Sequence, residues 1–163
     1  MKGRAEVFRL RAQIDQTFKR IERRDASDFE LRSDFAKFLC ILLSGFIERS
    51  VQELAMECCR HMSSGPALNF ALAQLDGRGA NPTSERILQM VGSFDPSWGE
   101  NLRSFLTQER KAALDSVVGL RNSIAHGGSA TTSYARVCEY RDRIADVIDH
   151  LCNVFDPAAP VAS

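Results

Sequence analysis

The chain has 163 residues, which suits one domain that folds without a disulfide or metal staple. Its 44% hydrophobic and 26% charged residues are ordinary for a globular protein. Lysine plus arginine (21) balances aspartate plus glutamate (21), which argues against binding nucleic acid by bulk charge but leaves room for a local phosphate site.

Helical periodicity runs through the chain. Val7, Leu10, Ile14, Phe18 and Ile21 recur at spacings of three and four, so the first amphipathic helix is predicted from Lys2 to Arg23. Its outer face carries Arg9, Arg11, Lys19, Arg20, Arg23 and Arg24, the usual pattern of a solvated face. Ser27-Asp28-Phe29-Glu30 has the form of a capping box and opens a long second helix reaching Met62. Between Phe38 and Ile47 its apolar residues go nearly all the way round. Such a helix is buried centrally, or buried again at a subunit interface.

Ser63-Ser64-Gly65-Pro66 ends that helix. A short helix from Pro66 to Leu75 and a loop from Asp76 to Pro82 follow. Thr83 or Ser84 is placed to cap another short helix bearing Ile87, Leu88 and Val91. Asp95-Pro96 is a turn with proline at a helix start, and Trp98 behind it is expected to anchor this insert to the main body rather than to stack a base. Thr107 can cap a helix carrying Ala113, Leu114, Val117, Val118, Leu120, Arg121 and Ile124, ended by Gly127-Gly128. A last helix from about Thr132 to Phe155 buries Val137, Ile144, Val147, Ile148, Leu151 and Val154. No stretch alternates with period two over strand length. The expected fold is all-α: a four-helix bundle over residues 1–156, with short extra helices between the second and third main helices, and a disordered tail over 157–163.

The five cysteines are Cys40, Cys58, Cys59, Cys138 and Cys152. Their number is odd, their spacing matches no zinc or redox pattern, and most fall on apolar helix faces. Adjacent Cys58 and Cys59 diverge on a helix, and nothing completes a metal site with His61. Free thiols, no cofactor and a reducing, cytoplasmic setting are therefore expected. Met1 to Asp15 has no signal-peptide core, and Phe35 to Ile47 is too short to span a membrane. His150 is expected at the helix surface or at an interface.

Leu120-Arg121-Asn122-Ser123-Ile124-Ala125-His126-Gly127 closes the third main helix. Asn122 and His126 are four residues apart, so their side chains can meet. Arg121 precedes His126 by five, roughly 140° around the helix and about 7.5 Å along it, and both can reach one substrate lying across the helix end. An imidazole near neutrality moves protons, Arg121 can grip a phosphate with two N–H donors, and Asn122 can fix the imidazole tautomer or donate to a phosphate oxygen. These parts suit metal-free RNA cleavage, in which a 2′-hydroxyl loses a proton as it attacks the phosphate and the 5′-oxygen gains one as it leaves. Base and acid are both needed, and a two-fold homodimer would supply both.

The same segment resembles the signature of the HEPN superfamily, Arg-polar-x-x-x-His near a helix end. The preceding helix with Phe46-Ile47-Glu48 resembles it too, the likeness being nearest the branch called RiboL-PSP-HEPN. The resemblance implies a four-helix bundle with extensions and a metal-independent endoribonuclease acting as a homodimer on RNA, in a toxin or antiphage defence role. It implies catalytic roles for Arg121 and His126, with Asn122 as the polar second residue and Ser123 and Glu48 as supporting positions. Some relatives are instead inactive modules that bind a nucleotide or a partner, such as an antitoxin or a nucleotidyltransferase. Blander roles stand beside these. Arg121 and His126 can be mere partners of the helix dipole, and Glu48 more commonly forms a structural pair, with Arg49 or Arg121.

Overall fold

The computed structural model describes residues 2–24, 28–76, 81–128 and 131–156. These form seven α-helices and no strand: α1 (Lys2–Glu22), α2 (Phe29–Met62), α3 (Gly65–Leu75), α4 (Ser84–Phe94), α5 (Pro96–Phe105), α6 (Gln108–Ala125) and α7 (Tyr134–Val154). The expected tail over 157–163, Ser27 of the capping box and Gly77–Ala80 of the expected loop lie outside the described residues. No helix among the described residues is long and apolar enough to cross a membrane.

Polar side chains start most of these helices, satisfying orphan backbone N–H groups. Asp28 accepts from the Glu30 amide at 2.9 Å, Thr107 from Arg110 at 3.4 Å and Ser133 from Arg136 at 3.2 Å. Of the two candidates at the fourth helix, Thr83 is the cap. Ser84 instead hydrogen-bonds the Asp115 carboxylate of α6 through its amide (2.8 Å) and hydroxyl (2.9 Å). Pro96 and Ser97 form the first turn of α5, with Asp95 accepting from the Ser97 amide at 2.7 Å.

α1, α2, α6 and α7 make the bundle. A β-carbon on Gly3 would come within 2.7 Å of the Glu53 carbonyl, while Ile21 shares a small pocket with Phe35 and Tyr134, so α1 runs antiparallel to α2. Arg4 pairs with Asp156 at 3.0 Å and Arg11 with Asp149 at 2.5 Å; Phe18 lies 6.4 Å from Tyr134 at the other end. Hence α7 also opposes α1, and Arg11 belongs to a cross-bundle pair rather than to a free basic face. Arg110 pairs with Asp146, whereas Leu120 shares a cleft with Thr132 and Arg136, so α6 runs antiparallel to α7. The end of α6, the start of α7 and the first half of α2 therefore share one end of the bundle.

Leu39, Leu43, Ile47 and Leu54 of α2 are fully buried beside Leu114, Val117, Ile144, Ile148 and Leu151. One face of α2 is left uncovered, with Phe38 at 47% exposure and Ile41 at 43%. The insert α3–α5 packs over the second half of α2 and the end of α7. Trp98 anchors it, 5.9 Å from Phe155 and 6.4 Å from Phe94. His150 is not a free surface residue. Its ring stacks on Phe105 at 3.9 Å, Nε2 lies 2.8 Å from Asn101 Oδ1, and Arg110 covers the other face of Phe105 at 4.1 Å. Burial, and then the charge of Arg110, push its pKa down.

Cys40, Cys58, Cys59 and Cys152 are buried and Cys138 half-buried, all as free thiols. Burial pushes Cys40 and Cys58 up to about 11, so at pH 8 they are protonated as well as shielded. Iodoacetamide is expected to modify no site but Cys138 in the native protein at pH 8, and all five in denaturant; rapid native labelling of Cys40, read by mass spectrometry, would contradict this packing. Where α4 meets α5, a β-carbon on Gly99 would lie 3.0 Å from Gly92 Cα. Gly99→Ala should lower stability by about 1–3 kcal/mol, and an unchanged thermal midpoint would show that the crossing is looser than described.

Candidate functional site

The site is built by the way α6 ends. His126 is the C-cap, at φ −94° and ψ 12°, and its N–H reaches the Asn122 carbonyl at 3.1 Å. Gly127 then turns left-handed at φ 72°, a conformation glycine adopts without steric cost. Its N–H meets the Ile124 carbonyl at 3.1 Å, and that of Gly128 meets the Ser123 carbonyl at 2.8 Å. These are the paired reverse bonds of a Schellman closure. A β-carbon on Gly128 would fall 2.6 Å from Ser123 Oγ and 3.1 Å from the Ser123 carbonyl, so the first glycine is needed for its dihedral and a side chain at the second would crowd Ser123. The closure leaves His126 exposed at the rim, with Ser123 half-buried beneath the turn.

Arg121 continues the buried stripe of α6, four residues after Val117 and seven after Leu114. Its guanidinium is thereby half-buried at the end of the core. It donates through Nη1 to Asn122 Oδ1 at 3.0 Å. Asn122 thus links the motif twice, its side-chain oxygen holding Arg121 and its backbone carbonyl holding the His126 amide. With Oδ1 engaged by Arg121, the amide NH2 is the group left to face a ligand.

The other half-buried arginines, Arg4, Arg11, Arg110, Arg141 and Arg143, each pair with a carboxylate. Among the described residues no carboxylate pairs with Arg121. Its hydrogen-bond partner among these residues is the neutral Asn122 amide. That separates it from a structural arginine, for which a carboxylate partner offsets the loss of water.

Glu48 is half-buried on α2 and makes neither expected pair: Arg49 binds Glu53 at 2.9 Å, and Arg121 binds Asn122. Phe35 stands level with the start of α7, and Glu48 follows it by 13 residues (48 − 35), about 20 Å of helical rise. The motif residues Arg121, Asn122, Ser123 and His126 are therefore brought together on one helix end, and Glu48 is not joined to them.

A cleft of about 980 Å³ between α2, α3 and α4 is lined by none of these residues. Its walls are mainly apolar, among them Val51, Phe70, Ile87, Met90 and Phe94, and it gathers no acid–base group beside Arg86 and the buried Cys59. A smaller cleft of about 410 Å³ opens between α6 and α7, lined among others by Gly119, Leu120, Arg136 and Tyr140. Sequence reasoning missed it. The one signal was a glycine in the middle of a helix.

An all-α bundle whose third main helix closes on Arg-Asn-x-x-x-His at a glycine turn defines a HEPN-type domain. A family model described as RiboL-PSP-HEPN matches residues 7–156, and the chain belongs to that family. No curated protein and no solved structure matches it.

Gly127→Ala should cost about 1 kcal/mol for the left-handed dihedral, and Gly128→Ala should destabilise through the contact with Ser123. Denaturant unfolding checks both. Two variants as stable as the parent would mean that the α6 closure does not hold His126 as described.

Proposed function

We propose that this chain is a metal-independent endoribonuclease in which Arg121, Asn122 and His126 act on a phosphodiester of RNA. The half-buried Arg121 guanidinium, without a carboxylate partner among the described residues, carries this reading: it is a cation placed to meet an anion, about 1.4 turns from an exposed imidazole. In the reaction His126 of one copy takes the proton of the 2′-hydroxyl. The 2′-oxygen attacks phosphorus, Arg121 and the Asn122 NH2 stabilise the charge on the non-bridging oxygens, and the 5′-oxygen leaves with a proton from the second copy's His126. The products are a 2′,3′-cyclic phosphate and a 5′-hydroxyl.

The second copy is supported by the uncovered face of α2. Leu31, Phe38 and Ile41 are exposed there. Gly45 lies in the same stripe, and a β-carbon on it would meet nothing within 4 Å. A glycine in a helix that its own chain does not require suits close approach by another helix, and an apolar stripe suits burial against its two-fold mate. A toxin or antiphage defence role, held in check by an antitoxin or a nucleotidyltransferase, and a cytoplasmic setting are the biological part of the same proposal.

Purified protein is expected to cut RNA in the presence of EDTA, leaving cyclic phosphate ends. His126→Ala and Arg121→Ala should each slow cleavage by about 100-fold or more while light scattering still reports a dimer. Intact RNA after incubation with the wild type, alongside calorimetric binding of a mononucleotide, would replace the nuclease with a non-catalytic nucleotide-binding module.

A further inference from the structure

The cleft between α6 and α7 contains a feature that the packing of this chain does not require. Gly119 sits in the middle of α6, where glycine weakens a helix relative to alanine. Gly99 and Gly128 are excluded from having a side chain by neighbours at 3.0 and 2.6 Å, whereas a β-carbon on Gly119 would meet no atom within 4 Å. Its missing side chain leaves the floor of the 410 Å³ cleft open. Half-buried Tyr140 forms one wall, Ser116 and Thr132 contribute hydroxyls, Arg136 stands exposed at the edge, and no carboxylate lines the space. Gly119 precedes His126 by seven residues, which places the two on one helix face, about 20° apart and roughly 10 Å along the axis. Gly119 in the cleft and the imidazole therefore share one face of α6, on the side away from the core-facing Arg121.

We propose that this cleft is a nucleotide subsite for single-stranded RNA, receiving a residue that flanks the phosphodiester held by Arg121 and His126. The base lies over Gly119 against the Tyr140 ring, the Ser116 and Thr132 hydroxyls bond its edge or its ribose, and Arg136 meets a phosphate. Arg136 now pairs with Glu139 at 3.1 Å on the exposed surface, an arrangement that exchanges readily for a phosphate contact. Tyrosine stacking accepts any base, and hydroxyls donate or accept as needed, so the subsite selects unpaired over paired RNA more than it selects sequence. The subsite rests on the nuclease reading above.

The test measures binding of a fluorescent single-stranded oligoribonucleotide of mixed sequence, and of its duplex, by anisotropy in a His126→Ala background that prevents turnover. Tyr140→Ala and Gly119→Leu should each weaken single-strand binding by about 5–100-fold, the range of one lost base-stacking contact. Tyr140→Phe should keep the parent's affinity, and the duplex should bind more weakly than the single strand. Gly119→Leu should melt no lower than the parent, since leucine favours helix and enters open space, so weaker binding there cannot be laid to unfolding. Parental affinity in both variants, with wild-type protein still cutting RNA, would remove the subsite and leave the nuclease standing. A wild type that neither binds nor cuts RNA would overturn both.

Discussion

α2 is the element on which the rest of the molecule depends. It runs for 34 residues, about 50 Å of helix, and touches α1, α3, α6 and α7. Its buried side chains, from Ala36 to Cys59, supply the largest share of the core from any one helix. An amphipathic stripe suffices for a helix that packs on one neighbour. α2 must satisfy α1 on one flank and α6 and α7 on the other, which explains why its apolar residues run nearly all round between Phe38 and Ile47. The exposed stripe of Leu31, Phe38 and Ile41 on α2 lies in the half that shares an end of the bundle with the motif.

The site is a consequence of how α6 stops. The stripe that buries Leu114 and Val117 delivers Arg121 half-buried at the end of the core, and the Schellman turn after Ala125 lifts His126 to the rim. One helix end thus provides a sheltered cation and an exposed proton carrier without any loop to position them. The paired bonds to Ser123 and Ile124 hold the turn, and the Arg121–Asn122 bond holds the guanidinium. The motif contributes one imidazole per copy, which is why the proposed reaction invokes a second copy.

Much of this was legible in residues alone. The helix order followed from three- and four-residue spacing, the cap at Thr107 from a side chain that accepts a backbone N–H group, and the end of α6 from Gly127-Gly128, whereas the choice of Thr83 over Ser84 and the cap at Asp28 came from the structure. His150 was harder to place, because its neighbours in sequence are apolar while the residues around it, Asn101, Phe105 and Arg110, come from α5 and α6. Glu48 was misleading in a similar way. Helical spacing leaves it half-buried on α2, but says nothing of its height along the bundle relative to Arg121.

The amino-acid sequence by itself determined the all-α class, the number and order of the main helices and the identity of the motif, because each is a matter of spacing within a single helix. Only the tertiary structure decided which charges find partners. Arg11 and Arg110 acquire carboxylates from α7 and Arg121 acquires none among the described residues, since ion pairing depends on which helices lie side by side and in which direction. The open floor over Gly119 was likewise invisible until α7 stood beside it. Empty space belongs to no one residue, and it exists only between elements that have already packed.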